Sequence, residues 1–333
     1  MRVVVAMDKF RGTATAHEAV AAVGHAVWEL GHDVDEAPMS DGGEGLLDVL
    51  GGANRTTMVI GPLGEPVEAP WRLERRTAVI EMARASGLAL VGGPEGNDPM
   101  QASTIGTGQL IDRALEQGAR SIVVGLGGSA TTDGGLGAIQ ALRSPSRLQA
   151  VDVAVACDVR TAFIDAASVF APQKGAGPAE VSMLTARLQA LAERYAEDYG
   201  VDVRELESAG AAGGLAGGLA ALGARLVGGF QLVAEHLDLE ERIAGADLVV
   251  TGEGHLDAQS FDGKVVGGVC QLAAAAGRRV IVIVGGADSA GAAELPLAVE
   301  LVSLVDRFGA ERAHRETRTC LTAAATHALT GTR

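Results

Sequence analysis

Aromatic residues are only 3% of this 333-residue chain, so rings cannot fill its interior and small aliphatic side chains must. That composition, with 46 glycines, suits parallel sheets covered by helices and joined through many tight turns. Cysteine is also sparse. Cys157, Cys270 and Cys320 are far apart and form no C-x-x-C, which excludes a disulfide framework or a zinc site of ordinary spacing and fits a reducing compartment. No apolar run reaches membrane length, and no charged-then-apolar leader precedes the first strand. Positive charge is short too: the net charge is −15, which disfavours nucleic acid and anionic membranes through long-range repulsion. The expectation is a cytoplasmic, enzyme-sized protein acting on a small molecule. Any anion site must be built locally, and the scarcity of lysine singles out Lys9, Lys174 and Lys264.

What is present is ample apolar material, 47% of residues with a mean hydropathy of +0.22, enough for two domains. Residues 2–6 read as a strand, followed from Thr15 by a helix with Ala19, Val20, Val23, Val27 and Leu30 at helical spacing. A second strand is expected over 34–38. From residue 57 the rhythm changes to three short strands in a meander, and from residue 246 strand and helix alternate again to the end. The predicted fold is α/β with two domains. Residues 1–60 and 230–333 form a doubly wound, Rossmann-like parallel sheet, interrupted by an inserted α/β domain over 61–229.

Polar residues gather where strands end, the edge at which open α/β sheets bind ligands. The strand at 121–124 empties into Gly125-Leu-Gly-Gly-Ser-Ala-Thr-Thr-Asp-Gly-Gly135 and then a helix. Glycines let backbone N–H groups approach an anion, and a helix start adds unpaired donors. The pattern lacks the Gly-Lys-Ser/Thr ending of a P-loop and is not a clean G-x-G-x-x-G. Asp8, Lys9 and Arg11 follow the first strand, the two cations being candidates to clamp a carboxylate or phosphate. Asp41 and Glu44 lie in a second glycine-rich turn and could cap a helix or hold magnesium. Lys174 stands in a Pro/Gly-bounded loop, residues 210–218 are small enough for close packing or close ligand approach, and Glu253 and Asp257 follow a late strand, where they could position a substrate or form a turn.

Taken together, these loops resemble the type I glycerate kinase family (glycerate 2-kinases) along nearly the whole chain. The family's Pro-Asp-Ser-Phe-Lys-Gly is similar to Met7–Gly12, its Asp-Gly-Gly-Glu-Gly matches Asp41–Gly45, and its Gly-Ser-Ala-Thr-Asn-Asp-Gly-Gly resembles Gly128–Gly135, with Thr132 in place of Asn. Ala-Cys-Asp-Val matches Ala156–Val159, Gly-Pro-Gln-Lys-Gly-Ala resembles Ala171–Ala176, and Thr-Gly-Glu-Gly with a following Asp matches Thr251–Asp257. The chain departs from the family in a short segment between Ala141 and Val151, in Arg160-Thr161 where Thr-Asn is usual, and in Ala171 for glycine.

The resemblance implies transfer of phosphate from ATP to D-glycerate with magnesium, giving 2-phosphoglycerate, in a cleft between two domains of a possible homo-oligomer. Phosphoryl transfer asks mainly for positioning and charge neutralisation. On that reading Gly127, Gly128, Ser129, Ala130, Thr131, Thr132 and Asp133 bind the nucleotide, and Asp41 and Asp133 hold magnesium. Asp8, Lys9, Arg11, Glu44, Glu253 and Asp257 surround glycerate, Lys174 faces the transferring phosphoryl group, and Asp158 is the base. Two rivals remain: a nicotinamide-dependent dehydrogenase, which lacks a fingerprint after the first strand, and a non-catalytic ligand-binding or regulatory relative.

Overall fold

The computed structural model describes residues 1–296 and 299–331. The chain divides into two compact units, the first made of Met1–Asp41 and Gly229–Arg333 and the second of Gly42–Gly228.

The first unit is built on a five-stranded sheet, every neighbouring pair of which is parallel. Its strands in chain order are Arg2–Met7, Asp33–Pro38, Leu248–Gly252, Arg279–Val284 and Glu300–Ser303, and across the sheet they run 5-4-3-1-2. The central ones are apolar from end to end: Val3 to Met7 are fully buried, as are Val282 to Val284. That is what a strand covered on both faces requires. The order reverses between the strands Arg2–Met7 and Leu248–Gly252. At such a switch point the two following connections lead away from each other and leave a crevice at the carboxyl edge. Asp8 to Arg11 and Glu253 to His255 are the residues that follow these strands.

The second unit has a six-stranded sheet in simple chain order. Arg55–Ile60, Pro66–Glu74 and Thr77–Glu81 form the expected antiparallel meander, and Ser121–Gly125, Asp152–Cys157 and Arg225–Gly228 continue it in parallel. The last strand is too short and too near small residues to stand out in the sequence. The boundary between the units falls at Asp41/Gly42, not at residue 60. Arg55–Ile60 is bonded edge to edge with Pro66–Glu74, and the turn before it is held by Glu81, whose Oε1 accepts from the Gly45 and Leu47 amides at 2.9 Å each. The second boundary, Gly228/Gly229, lies one residue from the expected one.

With few aromatics, packing is backbone-close. In the segment 210–218, a Cβ on Gly213 would lie 1.9 Å from the Thr131 carbonyl oxygen, one on Gly217 2.3 Å from Phe163, and one on Gly218 2.6 Å from the Gly134 carbonyl. These glycines bring their segment against the loop 127–135, so the small residues serve packing. The three cysteines are buried thiols, and no helix among the described residues is long and apolar enough to cross a membrane.

Candidate active site

In the first unit a pocket of about 450 Å³ opens at the switch point, lined among others by Asp8, Lys9, Arg11, Asp41, Glu253 and Lys264. Its geometry begins in the backbone. Asp8 N–H donates to the Gly252 carbonyl and Gly285 N–H to the Glu253 carbonyl, which tie the loops after three strands together. Gly252 has no room for a side chain, since a Cβ there would lie 1.8 Å from the Ile283 carbonyl oxygen, and one on Gly254 would press on Phe10 and Arg11. Glu253 is thereby held between two glycines that cannot be replaced cheaply.

Charge is shared unevenly around this pocket. Lys9 Nζ lies 3.6 Å from Asp8 Oδ1 and 3.5 Å from Asp41 Oδ1. Asp8 is buried and its carboxyl is pushed up to about 6, chiefly by desolvation, with Lys9 opposing and Asp41 adding to the rise. Glu253 is raised to about 7, again mainly by burial, with Asp8 and Asp257 adding to it and Ser260 and Lys264 opposing. Its Oε1 is buried with no hydrogen-bond partner among the described residues. Arg11 is exposed and has no carboxylate partner among the described residues. Asp257 does not line the pocket: it caps the short helix Ala258–Phe261, accepting from Ser260 N–H at 3.1 Å. The expectation that it meets substrate gives way to the turn-forming alternative. Lys264, His255 and His314, unassigned on the sequence, do line the pocket. Scarcity flagged Lys264, and His255 lies within the Thr251–Asp257 segment already noted after a strand; nothing near His314 marked it.

The second unit carries the glycine loop. Gly128 is exposed with φ +62°, and a Cβ there would meet only Ala83 Cβ at 3.6 Å, so the space before it is open. The N–H groups of Gly127, Gly128 and Ser129 have no acceptor among the described residues, whereas Ala130 N–H donates to the Ser86 carbonyl and Thr131 N–H to Ser129 Oγ. Three unpaired amides at the end of a strand form an anion cradle. Thr132 Oγ1 is buried and also without a partner. A Cβ on Gly127 would lie 2.9 Å from Gly43 Cα, so the second unit's first residues pack against this loop through Gly43. Glu44 is exposed in the second unit and is not part of the pocket lined by Asp8 and Lys9.

Two charged residues of this unit differ from expectation. Asp133 is buried and its oxygens are taken. Oδ2 accepts from Thr104 N–H and Oγ1, both at 2.8 Å, and from Gly137 N–H at 3.2 Å, while Oδ1 accepts from Gly135 N–H at 3.1 Å. It ties the loop to the helix Ile105–Glu116 and caps its own turn, so the protein's own donors engage both of its oxygens. Lys174 is 4% exposed and points its ammonium inward: Nζ donates to Ser129 Oγ at 2.9 Å and to the Thr131 carbonyl at 2.6 Å. It braces the loop and does not present its charge to solvent. Burial pulls it down to about 7, against the opposing charge of Asp133. Asn97, which sequence reasoning missed, donates to the Ala130 and Lys174 carbonyls. Asp158 follows the strand Asp152–Cys157 and is half-buried. Its charge, second to burial, helps push the Cys157 thiol up to about 12.

The first unit thus has a sheet crevice lined with cations and carboxylates, and the second a glycine loop with unpaired amides. The family model for the glycerate kinase family matches residues 3–145 and 143–331. The chain belongs to the glycerate kinase family. Membership makes it a kinase. Relatives include the glycerate 2-kinase of Escherichia coli K12, 39% identical with 86% of this chain and 85% of that protein covered. The glycerate kinase of Bacillus subtilis 168 is also 39% identical, with 82% of each covered. A crystal structure from Salmonella typhimurium LT2, assigned as glycerate kinase 2, shares 34% identity and superposes with a TM-score of 0.83 over 99% of both chains.

Proposed function

We propose that this kinase transfers the terminal phosphoryl group of ATP to D-glycerate, with magnesium, and gives 2-phosphoglycerate. The observation that carries the reading is the mixed lining of the first unit's pocket. A hydroxy acid needs a cation for its carboxylate and an acceptor for its hydroxyl, and the pocket offers Arg11 and Lys9 beside Asp8, Asp41 and Glu253. Arg11, exposed and without a carboxylate partner among the described residues, is assigned to the glycerate carboxylate, which a guanidinium binds in bidentate fashion.

The nucleotide phosphates are assigned to the amides of Gly127, Gly128 and Ser129. The open space before Gly128 fits a phosphate. Lys174 and Asp133 hold this loop in shape, so their contribution to nucleotide binding is made through its geometry. Magnesium, when bound, neutralises phosphate charge. Its protein ligand in this reading is Asp41, because Asp133 is spent on internal donors and no group of three metal-ligating side chains occurs among the described residues. One carboxylate with phosphate oxygens and waters is an ordinary environment for that ion.

Phosphorus NMR of a mixture of protein, ATP, magnesium and D-glycerate tests the proposal. The expected result is a new phosphomonoester signal split by the single proton on C2. Splitting by two protons means that the other hydroxyl is the acceptor, and absence of any phosphomonoester overturns the substrate assignment.

A further inference from the structure

The sequence pointed to Asp158 as the group that takes the proton from the attacking hydroxyl. Asp158 belongs to the second unit and does not line the first unit's pocket. Within the first unit's pocket one carboxylate stands apart from the others. Asp8 accepts a 2.6 Å hydrogen bond from Lys9 N–H and is approached by Lys9 Nζ, which also approaches Asp41. Asp257, outside the lining, is engaged by Ser260. The Glu253 carboxyl is also within the influence of the Ser260 hydroxyl, but its Oε1 is hidden from solvent and has no hydrogen-bond partner of good geometry among the described residues. An acceptor left unpaired in a buried place costs about 1–3 kcal/mol, and it persists where a ligand supplies the missing donor.

We infer that Glu253 is the proton acceptor of the phosphoryl transfer, its buried Oε1 receiving the hydroxyl proton of the bound hydroxy acid. This rests on the functional reading above. In the step, the substrate hydroxyl oxygen forms a bond to the terminal phosphorus of the nucleoside triphosphate. The bond from that phosphorus to the bridging oxygen breaks, its electron pair leaves with the nucleoside diphosphate, and the proton passes to Glu253. Placement supports the role at three levels. Gly252 and Gly254 fix the backbone on either side of Glu253 against Ile283 and Phe10. The Gly285 amide holds its carbonyl. Lys264, at the start of the helix Val265–Ala275, faces the same pocket and favours the ionised carboxylate. The acidity suits the task, since a base raised to about 7 is matched to neutral pH and still ionises there.

The titratable and charged groups around Glu253 are Asp8, Lys9, Arg11, Asp41, Asp257 and Lys264, with His255 and His314 also on the pocket wall. Variants of both histidines serve as controls for the rest of the pocket wall. The pH profile of kcat/KM for D-glycerate is measured for the wild type, Glu253→Gln, Glu253→Asp, Asp158→Asn, His255→Gln and His314→Gln, alongside nucleotide Kd and Tm. The expected wild-type profile rises with pH through about 7, because the base acts only when deprotonated. Glu253→Gln should lower kcat about a hundredfold or more, lose the acid limb, and keep nucleotide Kd within about twofold. Glu253→Asp should keep an acid limb at reduced kcat, and the histidine variants should keep it too. An acid limb that persists in Glu253→Gln, or that disappears in Asp158→Asn or a histidine variant while Glu253→Gln retains it, overturns the inference. Should Glu253→Gln fail to fold, an Asp variant without an acid limb has the same force. A wild type that phosphorylates no hydroxy acid removes the functional reading and this inference with it, which distinguishes the two failures.

Discussion

The pocket of the first unit and the glycine loop of the second use charge in opposite ways. Around the pocket, carboxylates and cations are incompletely matched: Arg11 has no described partner, Glu253 hides an unpaired oxygen, and Lys9 is divided between two aspartates. Around the loop, the charges are buried and satisfied from within, Asp133 by four hydrogen bonds and Lys174 by two. What the loop offers a ligand is its main chain. Charged side chains are therefore left incompletely matched at one place and serve architecture at the other, although both sets follow strand ends and look alike in the sequence. Lysine makes the same point: the chain has only three, two of which line the pocket and one of which braces the loop.

The strongest way to break this comparison is Asp133→Ala. Taking away an acceptor that serves Thr104, Gly135 and Gly137 strands several buried donors, and stability should fall by about 4 kcal/mol, with Tm and activity lost together. A stable Asp133→Ala protein that had lost only its magnesium requirement would restore the metal-ligand reading.

Lys174→Met comes next, and its effect depends on pH. The folded-state pKa, about 7, lies below the ordinary 10.5, so between those values the unfolded chain binds the proton and the folded chain does not. Stability of the wild type therefore rises with pH across that window, and the lysine's penalty is fully present below it. Methionine removes the slope, so the deficit of the variant should widen steadily from pH 7 to pH 10. Denaturant melts of both proteins at several pH values check this, and a pH-independent difference contradicts a buried, depressed lysine.

Arg11→Gln should act on the other side of the comparison. Loss of an exposed guanidinium leaves Tm within about 1 °C but raises KM for glycerate roughly tenfold to a hundredfold, the worth of a charge-assisted contact of about 1.5–3 kcal/mol. An unchanged KM with altered Tm would make Arg11 structural. The smallest stability change is expected for Gly128→Ala, whose methyl group meets no backbone but must adopt φ +62°, a strain of about 1 kcal/mol. Calorimetry should nonetheless show weaker ATP binding, because the loop relaxes away from the left-handed conformation that presents its amides. Full affinity would detach this loop from the nucleotide.

Much of this was legible before the structure. Apolar runs at 2–6, 121–124 and 280–284, and the return of the strand–helix rhythm after residue 246, revealed two sheets because fully buried parallel strands leave uninterrupted valine and isoleucine. The boundary was misplaced by nineteen residues. A turn such as Asp41–Gly45 reads the same whichever unit its neighbours join, and pairing of Arg55–Ile60 with Pro66–Glu74 is decided by contacts between strands.

Sequence alone determined which residues could matter: glycine, short polar side chains and charge at strand ends are local signatures, set by steric freedom and by the direction of a strand. It also determined the family, through motifs kept in order along the chain. Only the tertiary structure decided what each charge does. Whether Asp133 meets a cation or Thr104, whether Lys174 looks outward or at the Thr131 carbonyl, and whether Glu253 keeps an oxygen unpaired all depend on partners distant in the chain. The physical reason is desolvation: a buried charge is costly until specific donors or acceptors enclose it, and those are supplied by folding, from elements that a linear reading cannot bring together.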